Sequence, residues 1–268
     1  MNTVEKNEFM REHLVSAPPV EEAKANLDAE KSELNWYNYG LALSRAHRNE
    51  EAIDVYSQGL AMYPMSALLH FGRGRKYMHP GAYDQAIADF TMAIKLEEDV
   101  NMFWYYRAVT HNVNGRFREA IADFREALKY AQPQDSYSMV DWIFSCYVDL
   151  GDMEGARAIL DEVPDDLEVP DMDWDYKMRV RLYKGLVRPE DMIDPVEIRK
   201  HVPDPEDDLK LDIVTLRFGL YLYYTYKGET EKANEEIVKI ISDPFEGAFA
   251  VEKARIVAKE RGLKPIQE

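Results

Sequence analysis

Apolar and small residues recur along this chain with a period of 34 residues. The pentapeptide at residues 86–90, Ala-Ile-Ala-Asp-Phe, returns at residues 120–124, and Ala52 with Tyr56 stands one period earlier. In a second series, a bulky residue is followed four positions later by a small one: Trp36 and Gly40, His70 and Gly74, Trp104 and Ala108. Because residues four apart share one face of a helix, each period predicts two helices.

These residues resemble the tetratricopeptide repeat family, whose unit is a helix-turn-helix of the same length. Three well-formed units follow one another, at about residues 33–66, 67–100 and 101–136. The resemblance implies an all-α, right-handed α-solenoid of helix pairs, each of which buries its apolar face against its neighbours. Arg73 and Arg107 depart from the family pattern, because they stand where a large apolar residue is usual.

The repeat continues in weaker form after residue 136. Asp152 is the predicted N-cap of a second helix in a fourth unit, and a fifth unit begins near Trp174. Prolines between residues 186 and 206 predict short helices or loops there. The predicted organisation is a helical extension at 1–32, three regular units at 33–136, degenerate units at 137–245 with an irregular insertion near 186–210, and a capping C-terminal helix with its tail at 246–268.

Other helix ends follow from proline and from residues that cap helices. The pair Pro18-Pro19 predicts the start of a helix that runs through Lys31. A long helix is expected from about residue 206 to 226, and Thr230 is expected to cap the next one. The pair Asp243-Pro244 predicts the opening of the terminal helix, which ends at about residue 261.

Composition excludes several classes of function. The 33 basic and 50 acidic residues give a net charge of −17, which argues against nucleic-acid binding. No segment approaches the roughly 18 consecutive apolar residues of a membrane span, and the N-terminus lacks the pattern of a secretory signal. We therefore expect a cytoplasmic protein. The single cysteine, Cys146, lies among apolar residues and is predicted to be a buried thiol.

No motif for catalysis or metal binding stands out. The six histidines are scattered and form no cluster with the cysteine. The sequence Gly72-Arg73-Gly74 lacks the third glycine of a phosphate loop, so we interpret both glycines as close-packing residues of a helix. The acidic run at 161–175 lacks the pattern of a calcium loop and predicts a solvated loop. We expect a protein that is not an enzyme and has no cofactor and no metal.

In the first helix of each unit, one stripe of residues packs against the partner helix. A second stripe lies one residue further along the helix, about 100° around its axis. In the family that the chain resembles, this stripe lines a concave groove, which implies a site for a peptide or helix of a partner protein. Its predicted members include three aromatic residues that form an exposed wall: Tyr37, Phe71 and Tyr105. The others are three apolar residues (Leu41, Met78 and Val109), Asn112, and two charged residues that set the polarity of the bound segment, Arg75 and Asp141. Two alternatives stay open: the rings pack between neighbouring first helices, or residues 1–32 cover them.

The sequence favours a non-catalytic scaffold or adaptor. The family's clamp for C-terminal carboxylates uses lysine and asparagine on this stripe, and this chain has other residues there: Tyr37, Leu41, Gly72, Met102 and Tyr106. That departure argues against this class of ligand. The alternative function is a ligand- or peptide-responsive regulatory sensor, motivated by the irregular segment at 186–210. A homodimer through the tyrosines of residues 221–226 is a further possibility.

Overall fold

The computed structural model describes residues 2–78, 81–201, 206–245 and 248–266. Within these ranges the regular structure is helical and no residue lies in a β-strand, which confirms the all-α prediction. The chain divides into two compact units, Met1–Ala131 and Gln132–Glu268. Parts of all four predicted segments lie outside the described residues: residue 1 of the extension, 79–80 of the regular units, 202–205 of the irregular insertion, and 246–247 and 267–268 of the C-terminal segment.

The first unit consists of helices that pack in chain order. They are α1 (Thr3–Val15), α2 (Val20–Ala29), α3 (Glu33–Arg45), α4 (Asn49–Met62), α5 (Ala67–Met78), α6 (Tyr83–Leu96), α7 (Asn101–Val113) and α8 (Phe117–Tyr130). The pairs α3/α4, α5/α6 and α7/α8 are the three predicted repeats, and each pair contacts the next. Helix α2 packs against α3, and α1 packs against α7.

The second unit contains shorter and less regular pairs. Its helices are α9 (Ser136–Leu150), α10 (Met153–Leu160), α11 (Trp174–Tyr183), α12 (Pro195–Ile198), α13 (Glu206–Tyr226), α14 (Thr230–Ser242) and α15 (Phe249–Arg261). Helices α9 and α10 form one pair and α13 and α14 another, while α11 packs against both α9 and α13. The described part of 186–201 holds a 3₁₀ turn at Pro189–Asp191 and the single turn of α12, as the prolines predicted.

The small residues of the repeat allow adjacent helices to approach closely. A Cβ atom added to Gly40 would lie 2.4 Å from Cε1 of Tyr56, and one added to Gly72 would lie 2.7 Å from the same atom. At Gly74 the nearest atom would be Cε1 of Phe90, at 2.9 Å. These distances are shorter than carbon atoms tolerate, which confirms the interpretation of Gly72 and Gly74 as close-packing residues.

The turn inside each regular pair has one residue with a left-handed backbone. Gly81 and Gly115, one period apart, both have φ of 73°. The equivalent residue of the first pair is His47, with φ of 58°. Since left-handed backbone is strained for residues with a side chain, the first turn is less favourable locally than the other two.

Several predicted helix ends are correct and others are wrong. Helix α10 begins as expected, because the Asp152 side chain accepts a hydrogen bond from the backbone N–H of Gly155 at 2.9 Å. The terminal helix α15 begins at Phe249 rather than at the pair Asp243-Pro244, because α14 continues through residue 242 and Asp243 is its C-cap. Thr230 is the first residue of α14, and Glu229 occupies the N-cap position.

The buried thiol of Cys146 agrees with the sequence prediction. In the part of the chain that the structure describes, no three histidine, cysteine, aspartate or glutamate side chains form a group that could hold a metal ion. No helix among the described residues combines the length and the apolar character that crossing a bilayer requires.

Candidate partner-binding face of the first unit

Helices α3, α5 and α7, the first helices of the three regular pairs, lie side by side in the first unit. We call their common surface the A-helix face and define it by the residues that reach solvent on it: Leu34, Leu68, Arg75, Met102, Tyr105 and Tyr106. Leu34, Leu68 and Met102 occupy the same position in successive repeats, one period apart. They place apolar side chains at the N-terminal end of each of the three helices.

Most of the predicted binding stripe is buried, so the expected exposed aromatic wall is wrong. The side chains of Tyr37 and Phe71 are 0% exposed. Four further members of the stripe are also buried: Leu41, Met78, Val109 and Asn112. Of the nine predicted site residues, only Arg75 and Tyr105 keep intermediate exposure.

The rings are buried because they fill the space between successive helices. The ring centroid of Tyr37 lies 6.0 Å from that of Tyr56 on α4. The ring of Phe71 contacts Phe103 on α7 at 5.1 Å and Phe90 on α6 at 5.9 Å. This is the first of the two alternatives that the sequence left open, in which the rings pack between helices.

Tyr105 stands at the edge of this aromatic layer. Its ring packs edge-on against Phe124 at 5.7 Å and against Tyr106 at 5.6 Å. Both tyrosines remain partly exposed. They therefore present aromatic surface to solvent while their rings also pack against the aromatic layer.

Arg75 is the charged member of the A-helix face, and aromatic rings surround it. Its guanidinium carbon lies 5.0 Å from the ring centroid of Tyr106 and 5.7 Å from that of Phe71. Tyr37 also faces the guanidinium, and burial raises the pKa of its hydroxyl to about 12. No carboxylate in the described ranges forms an ion pair with Arg75.

Lys76, the next residue on α5, is buried. Its ammonium donates a hydrogen bond to Ser44 Oγ on α3. Burial, together with the nearby charge of Arg75, lowers the pKa of Lys76 to about 7. Helix α5 therefore carries two adjacent basic side chains, Arg75 at intermediate exposure and Lys76 buried.

The two arginines that depart from the family pattern form a repeated ion pair. Arg73 donates from Nε and Nη2 to the carboxylate of Asp89, with both distances at 2.8 Å. Arg107 makes the same pair with Asp123. The paired recurrence of arginine and aspartate, 16 residues apart in both repeats, was a signal in the sequence that would have identified these contacts.

Helix α1 docks beside the A-helix face through polar contacts. The Asn7 side chain donates to the backbone carbonyls of Asp99 and Tyr130, both at 3.2 Å, and accepts from the backbone N–H of Asn101 at 2.9 Å. Lys6 forms an ion pair with Asp99 at 2.8 Å. Helix α1 therefore packs at the start of α7, while the rings at the centre of the stripe are covered by their own neighbours.

An apolar cavity of about 340 Å³ lies between α1 and the A-helix face. Phe9 and Met10 line it from α1, and Leu34, Leu68 and Phe103 line it from the repeats. Two members of the apolar series on the face thus border a space large enough for one or two side chains.

Asp141, the remaining predicted site residue, belongs to the core of the second unit. Its carboxylate pairs with Arg179 on α11 at 2.8 Å and accepts a hydrogen bond from the Tyr183 hydroxyl at 2.9 Å. Burial raises the pKa of Asp141 to about 6. The expected groove-side position of this carboxylate is wrong, because α9 is covered by α11 and α13.

Two of the tyrosines considered for a homodimer, Tyr221 and Tyr226, pack within the second unit. Tyr221 is buried, and the guanidinium of Arg261 on α15 lies 5.5 Å from its ring centroid. The ring of Tyr226 packs edge-on against Phe144 at 5.3 Å. Tyr221 therefore faces the terminal helix.

Comparison with known proteins identifies relatives of this arrangement. The family model described as "Tetratricopeptide repeat" matches residues 37–99 and 81–136. Serine/threonine-protein phosphatase 5 of Homo sapiens is 30% identical over 118 residues, which are 44% of this chain and 22% of the phosphatase. The same phosphatase of Rattus norvegicus matches over the same shares. The chain thus spans about a fifth of the length of these relatives.

Solved structures share the fold at low sequence identity. A tetratricopeptide repeat protein from Parabacteroides merdae is 14% identical, with a TM-score of 0.54, over 88% of this chain and 90% of that one. The APC/C hetero-tetramer Cut9-Hcn1 is also 14% identical, with a TM-score of 0.56, over 87% of this chain and 44% of that one. At this level of identity the likeness shows the fold alone.

Proposed function

Because the chain is a tetratricopeptide repeat protein, we propose that it is a non-catalytic scaffold whose first unit binds a segment of a partner protein on the A-helix face. Tetratricopeptide repeats are in general scaffolds for protein–protein interaction.

The observation that carries the proposal is the row of apolar side chains on the A-helix face. Leu34 is 38% exposed, and Leu68 and Met102 repeat its position on the next two helices with intermediate exposure. The surrounding surface belongs to a strongly acidic chain. A row of exposed apolar residues with a polar rim is typical of surfaces that bind other proteins.

The face offers the kinds of contact that dominate binding energy in protein interfaces. Tyr105 and Tyr106 present aromatic surface and Arg75 presents a guanidinium, and these residue types are enriched among binding hot spots. The cavity beside Leu34 and Leu68 accepts an apolar side chain of the bound segment. The buried members of the predicted stripe support these contacts from below and do not touch the partner.

The phosphatase relatives do not extend this proposal to catalysis. The alignment covers 22% of the phosphatase, so its activity is not carried over to this chain. The sensor alternative concerns a change between two states of the segment at 186–210, and it stays a prediction.

The proposal is tested with two variants that add the same charge at different surfaces. The site variant is Leu34→Glu with Met102→Glu. The control variant is Met62→Glu with Met65→Glu, which changes residues that are 52% and 70% exposed at the end of α4 and in the loop after it. Circular dichroism and thermal unfolding first establish that both variants fold like the wild type.

Binding is then measured in two stages. Each protein captures partners from native lysate, and mass spectrometry quantifies what is retained. The retained protein is purified, and its Kd is measured by calorimetry. We expect the site variant to bind about 10-fold more weakly, because two charges are placed in an apolar contact, while the control binds like the wild type. Equal Kd values for all three proteins would contradict the proposal.

A further inference from the structure

We propose that Arg75 is the binding site for one internal glutamate or aspartate side chain of the bound segment. The inference rests on the proposed function for the source of the carboxylate, and it adds the chemistry that the A-helix face recognises. It follows from the partners that Arg75 lacks, from the groups that surround it and from its position on the central helix of the face.

Arg75 lacks the counter-ion that neighbouring arginines have. Arg73 and Arg107 are also partly buried on α5 and α7, and each holds a carboxylate at 2.7–2.8 Å. Arg75 has no such partner among the described residues, although the chain carries 17 more acidic than basic side chains. Shielded charges in proteins are almost always paired. An unpaired guanidinium in so acidic a chain therefore points to an anion supplied from outside.

A buried hydroxyl lies beside the same guanidinium. The Tyr37 side chain is 0% exposed, and its hydroxyl faces the Arg75 guanidinium. The guanidinium has only donors, and no other described residue forms a hydrogen bond with this hydroxyl, so its proton has no acceptor. A buried O–H group without an acceptor loses free energy unless a ligand supplies one. Arg75 and Tyr37 together offer N–H and O–H donors to an anion bound beside them.

The groups around Arg75 select the kind of anion. A carboxylate matches the fork of guanidinium N–H groups and accepts two hydrogen bonds from it, with a further one from the Tyr37 hydroxyl. The site walls are the rings of Phe71 and Tyr106. Because the faces of aromatic rings are electronegative, they stabilise the cation but disfavour a doubly charged anion. The surroundings therefore suit a carboxylate better than a phosphate group.

Arg75 lies on the central helix of the A-helix face. It lies on α5, with Tyr37 of α3 on one side and Tyr106 of α7 on the other. A segment that also contacts Leu34 and Met102 continues past Arg75 in both directions. The carboxylate is therefore expected to come from a side chain within the segment, and not from a chain end.

The site itself is tested with small probes and needs no partner protein. N-acetyl-glutamate amide carries a side-chain carboxylate as its only charge, and N-acetyl-glutamine amide is its neutral match. N-acetylglycine supplies a terminal carboxylate, and inorganic phosphate supplies the other anion. Each is titrated at constant ionic strength while NMR follows the arginine Nε–Hε signals.

The variants for this titration are Arg75→Gln, Tyr37→Phe and Arg48→Gln. The last removes the same charge from an exposed arginine that pairs with Glu51. We expect saturable shifts of one arginine signal with the glutamate probe and none with the glutamine probe. Arg75→Gln should abolish the response, Tyr37→Phe should weaken it about 3-fold through the lost hydrogen bond, and Arg48→Gln should leave it unchanged.

Three outcomes would overturn the inference. The first is a response equal for the glutamate and glutamine probes, and the second is a response that survives Arg75→Gln in a folded protein. The third is tighter binding of phosphate or of N-acetylglycine than of the glutamate probe, which would assign the site to another anion. Because these measurements use no partner, their failure is separate from failure of the partner-capture experiment on Leu34 and Met102.

Discussion

Arg107 and Asp123 are joined by two parallel hydrogen bonds, from Nε to Oδ2 and from Nη2 to Oδ1, each 2.7 Å long. The arginine also donates from Nη1 to Thr91 Oγ1 at 3.1 Å, so it links the second helices of two successive pairs. Both side chains of the ion pair are largely buried. The contact thus stabilises the order in which the repeats stack.

The substitution Asp123→Ala is expected to lower the free energy of unfolding by about 2–3 kcal/mol, because it leaves the Arg107 guanidinium shielded without its counter-ion. The matched control is Asp84→Ala. Asp84 also pairs with an arginine, Arg116 at 3.0 Å, but its side chain is 82% exposed, so a change below about 0.5 kcal/mol is expected. Urea unfolding measures both, and equal effects would show that burial does not govern these pairs.

His47 stands where the next two repeats have glycine, with φ of 58°. Replacement by glycine removes the steric cost of left-handed backbone, so His47→Gly is expected to raise the free energy of unfolding by about 1 kcal/mol. The reciprocal change, Gly115→Ala, places a side chain at φ of 73° with open space around it and should lower stability by a similar amount. Thermal and urea unfolding measure the stability of both variants. If His47→Gly does not raise it and Gly115→Ala does not lower it, the left-handed backbone at these turns is not strained.

The substitution Gly40→Ala is expected to destabilise the first unit by about 1–3 kcal/mol, because the new Cβ would lie 2.4 Å from the Tyr56 ring. A helix interior otherwise favours alanine over glycine, so the sign of the effect reports the clash. The double variant Gly40→Ala with Tyr56→Leu serves as the control, since a smaller partner relieves the overlap. Non-additive stabilities in a double-mutant cycle would confirm the contact, and additive ones would deny it.

The helix pairs were predictable because close packing imposes a local rule on the sequence. Gly40 and Tyr56 must be small and large together for α3 and α4 to approach, and this requirement repeats with every pair. The same rule fails for α1, which has no clear apolar stripe and is held by the polar contacts of Asn7 and Lys6. Those contacts join residues about 90 positions apart, which no local pattern reveals.

The exposure of the stripe residues was less predictable than the helices that carry them. The stripe was placed on the correct helices, but whether Phe71 reaches solvent depends on how closely α5 and α7 approach. That distance is set by the packing of Phe71 with Phe103, a contact between residues on different repeats. Similarly, Asp141 is buried because Arg179, 38 residues later in the sequence, provides its counter-ion.

The ionisation of Asp175 makes the stability of the second unit depend on pH. Burial, with a contribution from nearby Asp212, raises the pKa of Asp175 to about 8 from an ordinary value of 3.8. Between these two values the folded chain holds a proton that the unfolded chain releases. The free energy of unfolding therefore falls as pH rises through this window, by up to about 1.4 kcal/mol per pH unit, and the contribution is lost above pH 8.

The substitution Asp175→Asn removes this titration while keeping the shape of the side chain. At pH 5.5 the variant is already expected to be more stable than the wild type by about 2 kcal/mol, because the unfolded wild type ionises Asp175 while the folded one keeps its proton. The difference should grow up to about pH 8 and be largest at pH 8.5, where the folded wild type buries a carboxylate. Asp141, whose pKa is raised to about 6, and Lys76 titrate in both proteins, so the difference between them isolates Asp175. Urea unfolding at half-unit steps of pH provides the measurement, with Asp161→Asn, at an exposed position, as the control for loss of one charge. A difference that stays constant from pH 5.5 to 8.5 would show that Asp175 does not hold a proton in the folded protein.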